Sequence, residues 1–428
     1  MIEFVSTRTP SGPGRALSEA LAQGLAPDGG LYVPRAFPHL DPAIFEESTL
    51  VGRAVRLLAP FFAGDRLEGE LPAIVAAAFP FGAPLREASG GGRTYRFLEL
   101  FHGPTAAFKD FGARFLAECL SRNLEEETTI LVATSGDTGA AVAGAFHGRP
   151  GFRVVILYPD GRVSPRQAHQ LGAFGGNVET YRVSGTFDDC QAMVKAAFQA
   201  PRTRTGRKLA SANSISLGRL LPQMTYYADA ALSCAARSNE GAHETSFVIP
   251  TGNLGNAFAA WMARALSTDT GRRLPIGTLT LATNANRMLV AYVASGEVAP
   301  AATIATLANA MDVGAPSNLE RLRHFASDRA GIAARSVDDG AIAQTIATVF
   351  RETGYAICPH TACAVAAAPA DFNGVFVATA HPAKFDTIVT PICGPVAVPA
   401  GLAELLARDA HAAPLAASAD ALLDALRG

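Results

Sequence analysis

The sequence predicts an α/β protein with open, mostly parallel sheets. From residue 93 onward, short apolar strands alternate with helical patterns, which is typical of sheets covered by helices. The strand candidates are β-branched and continuously apolar, as in 130–132 and 154–157, and this favours parallel strands that are buried on both faces. A length of 428 residues allows two or more domains.

Eight strands and ten helices follow from these patterns. The strands are predicted at 95–101, 128–134, 152–157, 178–183, 208–211, 245–250, 277–283 and 374–380. The helices are predicted at 107–122, 138–147, 165–172, 187–199, 216–235, 254–267, 285–295, 318–326, 339–352 and 361–368. The alanine-rich tail from about 399 is expected to be helical.

The first 88 residues form a separate unit in this prediction. An amphipathic helix at 15–25 leads through a glycine-rich turn to a short strand at 31–33, and two further helices are expected at 50–58 and 68–78. Proline and glycine clusters between 79 and 92 end the unit. The remaining residues, 89–428, then hold a smaller sheet at about 105–215 and a larger sheet formed by the rest.

Composition excludes several classes of protein. The net charge of -2 provides no basic excess for a nucleic-acid backbone, and no apolar run is long enough to cross a bilayer. The N-terminus lacks the features of a secretory signal. The six cysteines are scattered without a CxxC pair, and the nine histidines show no paired metal spacing, so we expect a cytoplasmic protein without a metal site.

Lys109 is the first candidate for chemistry. It is one of only four lysines, with Lys195, Lys208 and Lys384, and it lies near the start of a helix that follows a strand. A positive charge is disfavoured there because the helix dipole is already positive at its N-terminus. A lysine that loses its proton is a nucleophile. Taken alone, the position fits a surface lysine equally well.

Two further loops follow strands and are rich in small residues. The run Thr134-Ser135-Gly136-Asp137-Thr138-Gly139 presents backbone amides and hydroxyls at a helix start, which suits a carboxylate or phosphate. A plain N-cap explains one of its residues but not the whole run. The run 250–256, Pro-Thr-Gly-Asn-Leu-Gly-Asn, predicts a phosphate cradle of neither the Walker nor the dinucleotide type.

Two additional segments offer weaker signals. Asn213 and Ser214 precede a helix that carries Arg219, and the guanidinium group is suited to phosphate. Thr379 ends a strand, where a hydroxyl can meet a ring nitrogen. An ordinary turn explains 378–385 as well, and the loops 311–318 and 357–361 give no assignable chemistry.

Together these loops match the needs of pyridoxal phosphate. Its aldehyde needs an amine, its phosphate needs a glycine-rich helix start, and its ring nitrogen needs a partner. A hydroxyl partner would leave that nitrogen unprotonated. The substrate carboxylate would then be bound by the other anion-binding loop, at 134–139.

At this point the chain resembles the threonine synthases, a family of fold-type II pyridoxal phosphate enzymes. The resemblance is carried by 25–34, 101–115, 133–141, 211–223, 250–256, 311–322 and 378–385. The SGDTG run and the lead-in LAPDGGLYVP point to the longer bacterial and fungal form. Departures are Leu254 and Asn256, where Phe and Asp are common, and Cys358, where Asp is usual.

The resemblance implies an activity and a set of roles. The activity is conversion of O-phospho-L-homoserine and water to L-threonine and phosphate, the last step of threonine biosynthesis. Lys109 would hold the cofactor as a Schiff base and then transfer protons. The cofactor would be bound by Gly252, Asn253, Leu254, Gly255, Asn256, Thr379 and Asp137. The substrate would be bound by Thr134, Ser135 and Thr138 at its carboxylate and by Asn213, Ser214 and Arg219 at its phosphate.

Two rival functions stay open. One is a serine/threonine dehydratase or a cysteine synthase. These enzymes share the cofactor-binding lysine and the glycine-rich phosphate loop, but they lack the N-terminal lead-in domain, the SGDTG run and the Asn213–Arg219 group. A non-catalytic relative that binds a phosphorylated metabolite would not need Lys109. Among the four lysines, only Lys109 is expected to have a chemically matched neighbourhood, that is, surroundings that suit a cofactor-binding amine. Lys384 simply follows the turn at Thr379. The oligomeric state is undecided.

Overall fold

The computed structural model describes residues 2–237, 244–299, 301–326 and 329–427. Within these residues it confirms the predicted α/β class. The strands are β1 (Phe4–Ser6), β2 (Tyr32–Pro34), β3 (Leu85–Gly90), β4 (Arg93–Glu99), β5 (Thr128–Ala133), β6 (Phe152–Pro159), β7 (Val178–Val183), β8 (Lys208–Ser211), β9 (Thr245–Pro250), β10 (Ile276–Thr283), β11 (Ile332–Ser336), β12 (Val375–Ala378) and β13 (Ala413–Leu415).

Helices cover the faces of the sheets and connect most of the strands. They are α1 (Leu17–Gln23), α2 (Leu50–Phe62), α3 (Leu71–Ala78), α4 (Lys109–Arg122), α5 (Asp137–Phe146), α6 (Pro165–Gly172), α7 (Phe187–Gln199), α8 (Arg202–Thr205), α9 (Leu217–Leu220), α10 (Gln223–Arg237), α11 (Gly255–Ala265), α12 (Met288–Ser295), α13 (Leu319–Phe325), α14 (Asp339–Thr353), α15 (Pro359–Ala367), α16 (Asp386–Cys393), α17 (Ala400–Leu406) and α18 (Ala419–Arg427). None of the helices in the described ranges is long and apolar enough to cross a membrane.

The strands form two open sheets and a small ribbon. The larger sheet has the order β11-β10-β9-β12-β4-β3 and is parallel except for β3, which pairs antiparallel with β4. The smaller sheet has the order β13-β7-β6-β5-β8 and is parallel throughout. Strands β1 and β2 form the antiparallel ribbon. All eight strands predicted from residue 93 onward are present, with ends shifted by at most two residues, and the strand predicted at 31–33 is β2.

The sequence patterns missed four short strands, β1, β3, β11 and β13. Strands β3, β11 and β13 lie at sheet edges and bury few side chains, so they lack a continuous apolar run. The helical prediction for the tail is confirmed by α17 and α18, but its assignment to the larger sheet is wrong, because β13, between these helices, pairs with β7 of the smaller sheet.

The single helix predicted at 216–235 is divided into two helices in the structure. The pattern at 216–235 is interrupted between α9 and α10, where Pro222 lies. Proline has no backbone N–H to donate and therefore interrupts the helical hydrogen-bond ladder. Arg219 lies on α9, before this break, and lines the same cleft as the loops after β5 and β9.

Helix α4 connects the N-terminal residues to the sheets. Its Phe111 and Phe115 are fully buried. The Phe111 ring lies 5.2 Å from that of Phe79, and the Phe115 ring lies 6.1 Å from that of Phe62. Arg114 donates from Nε and Nη2 to the carbonyls of residues 78 and 77, at the end of α3. The N-terminal unit therefore fixes the helix that begins at Lys109.

Truncating Phe115 should weaken this attachment. We expect Phe115→Ala to lower the free energy of unfolding by about 3–5 kcal/mol, because it leaves a cavity among packed rings. Ile304→Ala is the control, since Ile304 is 51% exposed and its loss should change stability by no more than about 0.5 kcal/mol. Chemical denaturation followed by circular dichroism measures both. Equal stability of the two variants would contradict the proposed anchoring.

Candidate active site

Loops that follow strands of both sheets converge on a single cleft with about 900 Å³ of empty space, part of it open to solvent. Ligands of open parallel sheets bind at this carboxyl edge. Every site residue predicted from the sequence lines the cleft: Lys109, Thr134, Ser135, Asp137, Thr138, Asn213, Ser214, Arg219, Gly252, Asn253, Leu254, Gly255, Asn256 and Thr379. The sequence therefore located the lining of the cleft, although it did not give the contacts of each side chain.

Lys109 lies at the start of its helix, as predicted, although α4 begins at Lys109 itself and not at residue 107, and its side chain is only partly exposed and lines the cleft. Burial lowers the pKa of its amine to about 8, and the positive charges of Arg219 and Lys384 act in the same direction. The carboxylate of Asp137 opposes this shift. The amine can therefore lose and regain a proton near neutral pH.

The backbone before Lys109 is tied to the Thr379 turn. Phe108 donates its N–H to the Thr379 carbonyl at 2.8 Å, and His381 donates to the carbonyl of Ala106 at 3.0 Å. Ala106 has a positive φ of 55°, which is uncommon for a residue with a side chain. This tight crossing brings Lys109 and Thr379 to the same cleft from strands that are distant in the chain.

Asp137 begins α5 and is buried against a second lysine. Its Oδ1 lies 2.8 Å from Lys384 Nζ and accepts from Gln167 Nε2 at 2.9 Å. Burial alone would raise the pKa of Asp137, but the positive charges of Lys384 and Lys109 hold it well below its usual range. Lys384 is fully buried in this ion pair and does not line the cleft, so the expectation that Lys109 alone has a chemically matched neighbourhood stays a prediction.

Within the loop after β5, the three hydroxyl residues differ in burial: Thr134 is buried, whereas Ser135 and Thr138 are partly exposed. Thr134 Oγ1 accepts from the N–H groups of Gly136 and Gly139 at 3.0 and 2.9 Å, so it holds the loop itself together. Ser135 and Thr138 are partly exposed and line the cleft. These two hydroxyls are better placed than that of Thr134 to meet a ligand.

The loop after β9 forms a tight cradle. A Cβ on Gly252 would lie 2.7 Å from Met311 Cα, so only glycine fits there without a shift of the backbone. Leu254 takes a left-handed φ of 63° just before α11 begins. Asn253 donates to Ser214 Oγ at 2.6 Å and accepts from the Ser317 N–H. The loop 311–318, to which the sequence patterns assign no chemistry, thus supports the cradle.

Three polar atoms at the cleft are buried and have no hydrogen-bond partner among the described residues. They are Asn213 Oδ1, Asn256 Nδ2 and Arg219 Nε. Asn256 turns its Oδ1 towards the hydroxyls of Tyr226 and Tyr227, which both donate to it. Buried polar atoms are costly when they are unpaired, so these atoms indicate a polar ligand.

Arg219 is buried beside this cradle. Its Nη1 donates to the Ala212 carbonyl, and burial lowers the pKa of its guanidinium to about 10, which leaves it charged at neutral pH. Asn213 donates to the carbonyl of Ala133 at 3.1 Å and so joins the end of β5 to the loop after β8. A buried cation next to free hydrogen-bonding atoms suits an anionic group.

The sequence missed several residues that line the cleft, including Phe187, Gln191, Gln223, Met311 and His360. His360 Nε2 accepts from the Ala310 N–H at 3.1 Å, and burial lowers the pKa of His360 to about 4, so its ring is neutral. The sequence signal at 357–361 was a helix-capping pattern, which does not distinguish a cleft residue from any other first-turn residue.

The arrangement fits a phosphorylated aldehyde with a polar ring. It offers a reactive amine, a glycine-rich helix start without a competing Cβ, and buried donors and acceptors that the protein leaves unpaired. These are the features that pyridoxal phosphate requires. The presence of a second cationic region at Arg219 leaves room for a substrate anion as well.

Comparisons with known proteins agree with this geometry. A family model described as pyridoxal-phosphate dependent enzyme matches residues 82–394, and one described as threonine synthase N terminus matches residues 3–79. Threonine synthase from Escherichia coli is 40% identical over 89% of this chain and 88% of its own length. The crystal structure of threonine synthase from E. coli superposes with a TM-score of 0.90 at 36% identity, covering 99% of both chains.

A second solved structure carries the cofactor. It is the PLP-bound threonine synthase from Brucella melitensis, with a TM-score of 0.87 and 33% identity, and the match covers 100% of this chain and 99% of that one. The similarity extends over both the N-terminal residues and the two sheets.

Replacing Lys109 should reveal the cost of burying its charge. Since the pKa of Lys109 is about 8 in the folded protein and about 10.4 in an unfolded chain, the charged amine destabilises the fold below pH 8 by about 3 kcal/mol. We expect Lys109→Met to stabilise the cofactor-free protein by up to that amount at pH 7. The gain should disappear as the pH rises from 8 towards 10.4.

Urea denaturation at several pH values measures this effect. Lys195→Met is the matched control because Lys195 is exposed on α7, and its replacement should change stability little at any pH. A Lys109→Met variant that is less stable than the native protein at pH 7 would contradict the assigned burial of the amine.

Proposed function

We infer that this chain, which belongs to the threonine synthases among the pyridoxal-phosphate-dependent enzymes, converts O-phospho-L-homoserine and water to L-threonine and phosphate. This reaction is the last step of threonine biosynthesis and makes the chain a lyase that acts on a phosphate ester. The observation that carries the inference is the match to threonine synthases along nearly the whole chain. The fold is accordingly that of a fold-type II pyridoxal phosphate enzyme.

Pyridoxal 5'-phosphate is the cofactor, and we propose which residues hold it. The backbone of Gly252, Asn253, Leu254 and Gly255 would receive the phosphate, supported by the glycine-only space at Gly252. Thr379 would face the ring nitrogen. Asp137 would face the phenolic oxygen, and Asn256 would contribute its unpaired Nδ2. When bound, the cofactor supplies an electron sink for carbanions of the amino-acid substrate.

Lys109 is proposed to carry the cofactor and then move protons. Its amine titrates near pH 8, so both protonation states are accessible at working pH. The reaction needs protons to leave the α and β carbons before phosphate departs from the γ carbon, and one mobile amine can serve these positions in turn. Its partial exposure to the cleft gives the substrate access to it.

The substrate's two anionic ends are assigned to two loops. Ser135 and Thr138 would bind the carboxylate, with Thr134 holding their loop in shape through its bonds to Gly136 and Gly139. Arg219 would bind the substrate phosphate together with Asn213 and Ser214. The support for this assignment is the buried guanidinium of Arg219, whose Nε has no hydrogen-bond partner among the described residues.

The division of the chain and its location are also proposals. We propose that residues 1–88 act as a lead-in domain to a catalytic region at 89–428, supported by the aromatic contacts that fix α4. A cytoplasmic location is supported by six free cysteines. Nucleic acid and membrane are not expected partners, and the oligomeric state stays undecided between monomer and homo-oligomer.

A product assay tests the proposed function. Purified protein with pyridoxal phosphate should release phosphate and threonine in equal amounts from O-phospho-L-homoserine, with threonine detected directly by amino-acid analysis. A dehydratase would instead release a keto acid from threonine. Keto acid without threonine formation would overturn the assignment.

Replacing Arg219 tests the phosphate site. We expect Arg219→Met to raise KM for O-phospho-L-homoserine by roughly 10–100-fold, because a charge-assisted hydrogen bond to a buried group contributes about 1.5–3 kcal/mol. The Kd for pyridoxal phosphate, measured by absorbance titration, should remain near the native value. Arg219→Lys, which keeps the charge, should lose less affinity.

The exposed Arg351 offers a control for that experiment. Arg351→Met should leave KM unchanged because its side chain lies away from the cleft. An Arg219→Met variant with native KM would show that this guanidinium only supports the Ala212 loop.

A further inference from the structure

We propose that Lys384 is a positioning residue that acts on Lys109 through Asp137. Its ammonium group compensates the Asp137 carboxylate and so keeps the Lys109 amine available without its proton. The inference rests on the role proposed for Lys109 and adds a residue for which the sequence patterns predict no function.

Three charged groups lie at the cleft or directly behind it. Lys384 Nζ lies 2.8 Å from Asp137 Oδ1, and Lys384 is fully buried, while Asp137 and Lys109 both line the cleft. Lys384 does not belong to that lining. It therefore acts on Lys109 without touching a ligand in the cleft, chiefly by pairing with the carboxylate that it contacts.

Lys384 is itself fixed from two directions. Its Nζ also donates to the Thr105 carbonyl at 2.9 Å, and its backbone forms a short 3-10 helix at Pro382–Phe385. Thr105 donates from its N–H and its Oγ1 to the carboxylate of Asp110 at 2.9 and 2.6 Å. The ammonium is thus held against the loop that leads into Lys109.

A neutral hydrogen-bond donor would pair with the Asp137 carboxylate without neutralising its negative charge. Gln167 Nε2 already donates to Asp137 Oδ1 at 2.9 Å. An uncompensated buried carboxylate beside Lys109 would attract a proton to that amine and raise its pKa by about 1–3 units. The ammonium of Lys384 removes this attraction because the pair with Asp137 has no net charge.

The remaining charged groups around Lys109 do not replace Lys384. Arg219 is a second cation near Lys109, and it is balanced in part by Asp110. His360 faces Asp137, but its pKa is lowered to about 4 by burial and its ring carries no charge at neutral pH. Lys384 is the cation in direct contact with Asp137.

The titration of Lys109 in the cofactor-free protein tests this inference. Acetic anhydride acylates only neutral amines, so the extent of Lys109 acetylation against pH, read by peptide mass spectrometry, reports the pKa of Lys109. Lys195 and Lys208, outside the cleft, are internal references in the same digest. No turnover or bound cofactor is needed, so the result does not depend on the proposed reaction.

We expect Lys384→Met to raise the midpoint of Lys109 acetylation by about 1 unit or more, with the reference lysines unmoved. Lys384→Arg, which keeps the charge, should remain closer to the native midpoint. The double variant Lys384→Met/Asp137→Asn removes both charges, and its midpoint should return to the native value or lie below it.

Two results would overturn the inference. One is a native midpoint in folded Lys384→Met, which would make the ion pair purely structural. The other is a raised midpoint in the double variant, which applies even if the single variant does not fold. Near-ultraviolet circular dichroism establishes that each variant is folded before its titration is compared.

Discussion

A buried ammonium group is costly, and this cost governs the chemistry of Lys109. The protein holds the residue at the start of α4, where burial and the helix dipole both favour the neutral amine. The N-terminal unit fixes α4 through Phe111 and Phe115, and the Thr379 turn fixes the loop before it. Packing that is distant from the cleft therefore determines where this amine lies.

The same constraint accounts for the charges around the amine. Asp137 would by itself draw a proton towards Lys109, yet it is bound to Lys384 at 2.8 Å. Arg219 adds a second cation that a substrate anion can meet. The glycine cradle at 252–255 contributes backbone donors without a charge of its own. Cations that bind anions also repel protons, so the same charges that suit an anionic substrate help to lower the pKa of Lys109, and the site combines an amine that loses its proton easily with anion binding.

Most of the sheet strands could be predicted from the sequence, and all of the proposed site residues line one cleft. Both kinds of feature leave a pattern in neighbouring residues of the sequence. Buried parallel strands are continuously apolar, and the loops after β5 and β9 carry glycine and hydroxyl runs. The edge strands β3, β11 and β13 bury few side chains and leave no such pattern. The Lys384–Asp137 pair was missed because its members are far apart in the chain and each lies in a turn that an ordinary cap explains. Which residues the site uses, and how, stays a prediction for experiment.

The most direct test of this account is to identify which lysine binds the cofactor. The protein is loaded with pyridoxal phosphate, reduced with borohydride and digested, and the peptide that carries the pyridoxyl group is identified by mass spectrometry. Two buried lysines compete for this label, since Lys109 lines the cleft and Lys384 lies behind Asp137. Our account predicts the label on Lys109 and its loss in Lys109→Met. A label on Lys384, or one that persists in Lys109→Met, would contradict it.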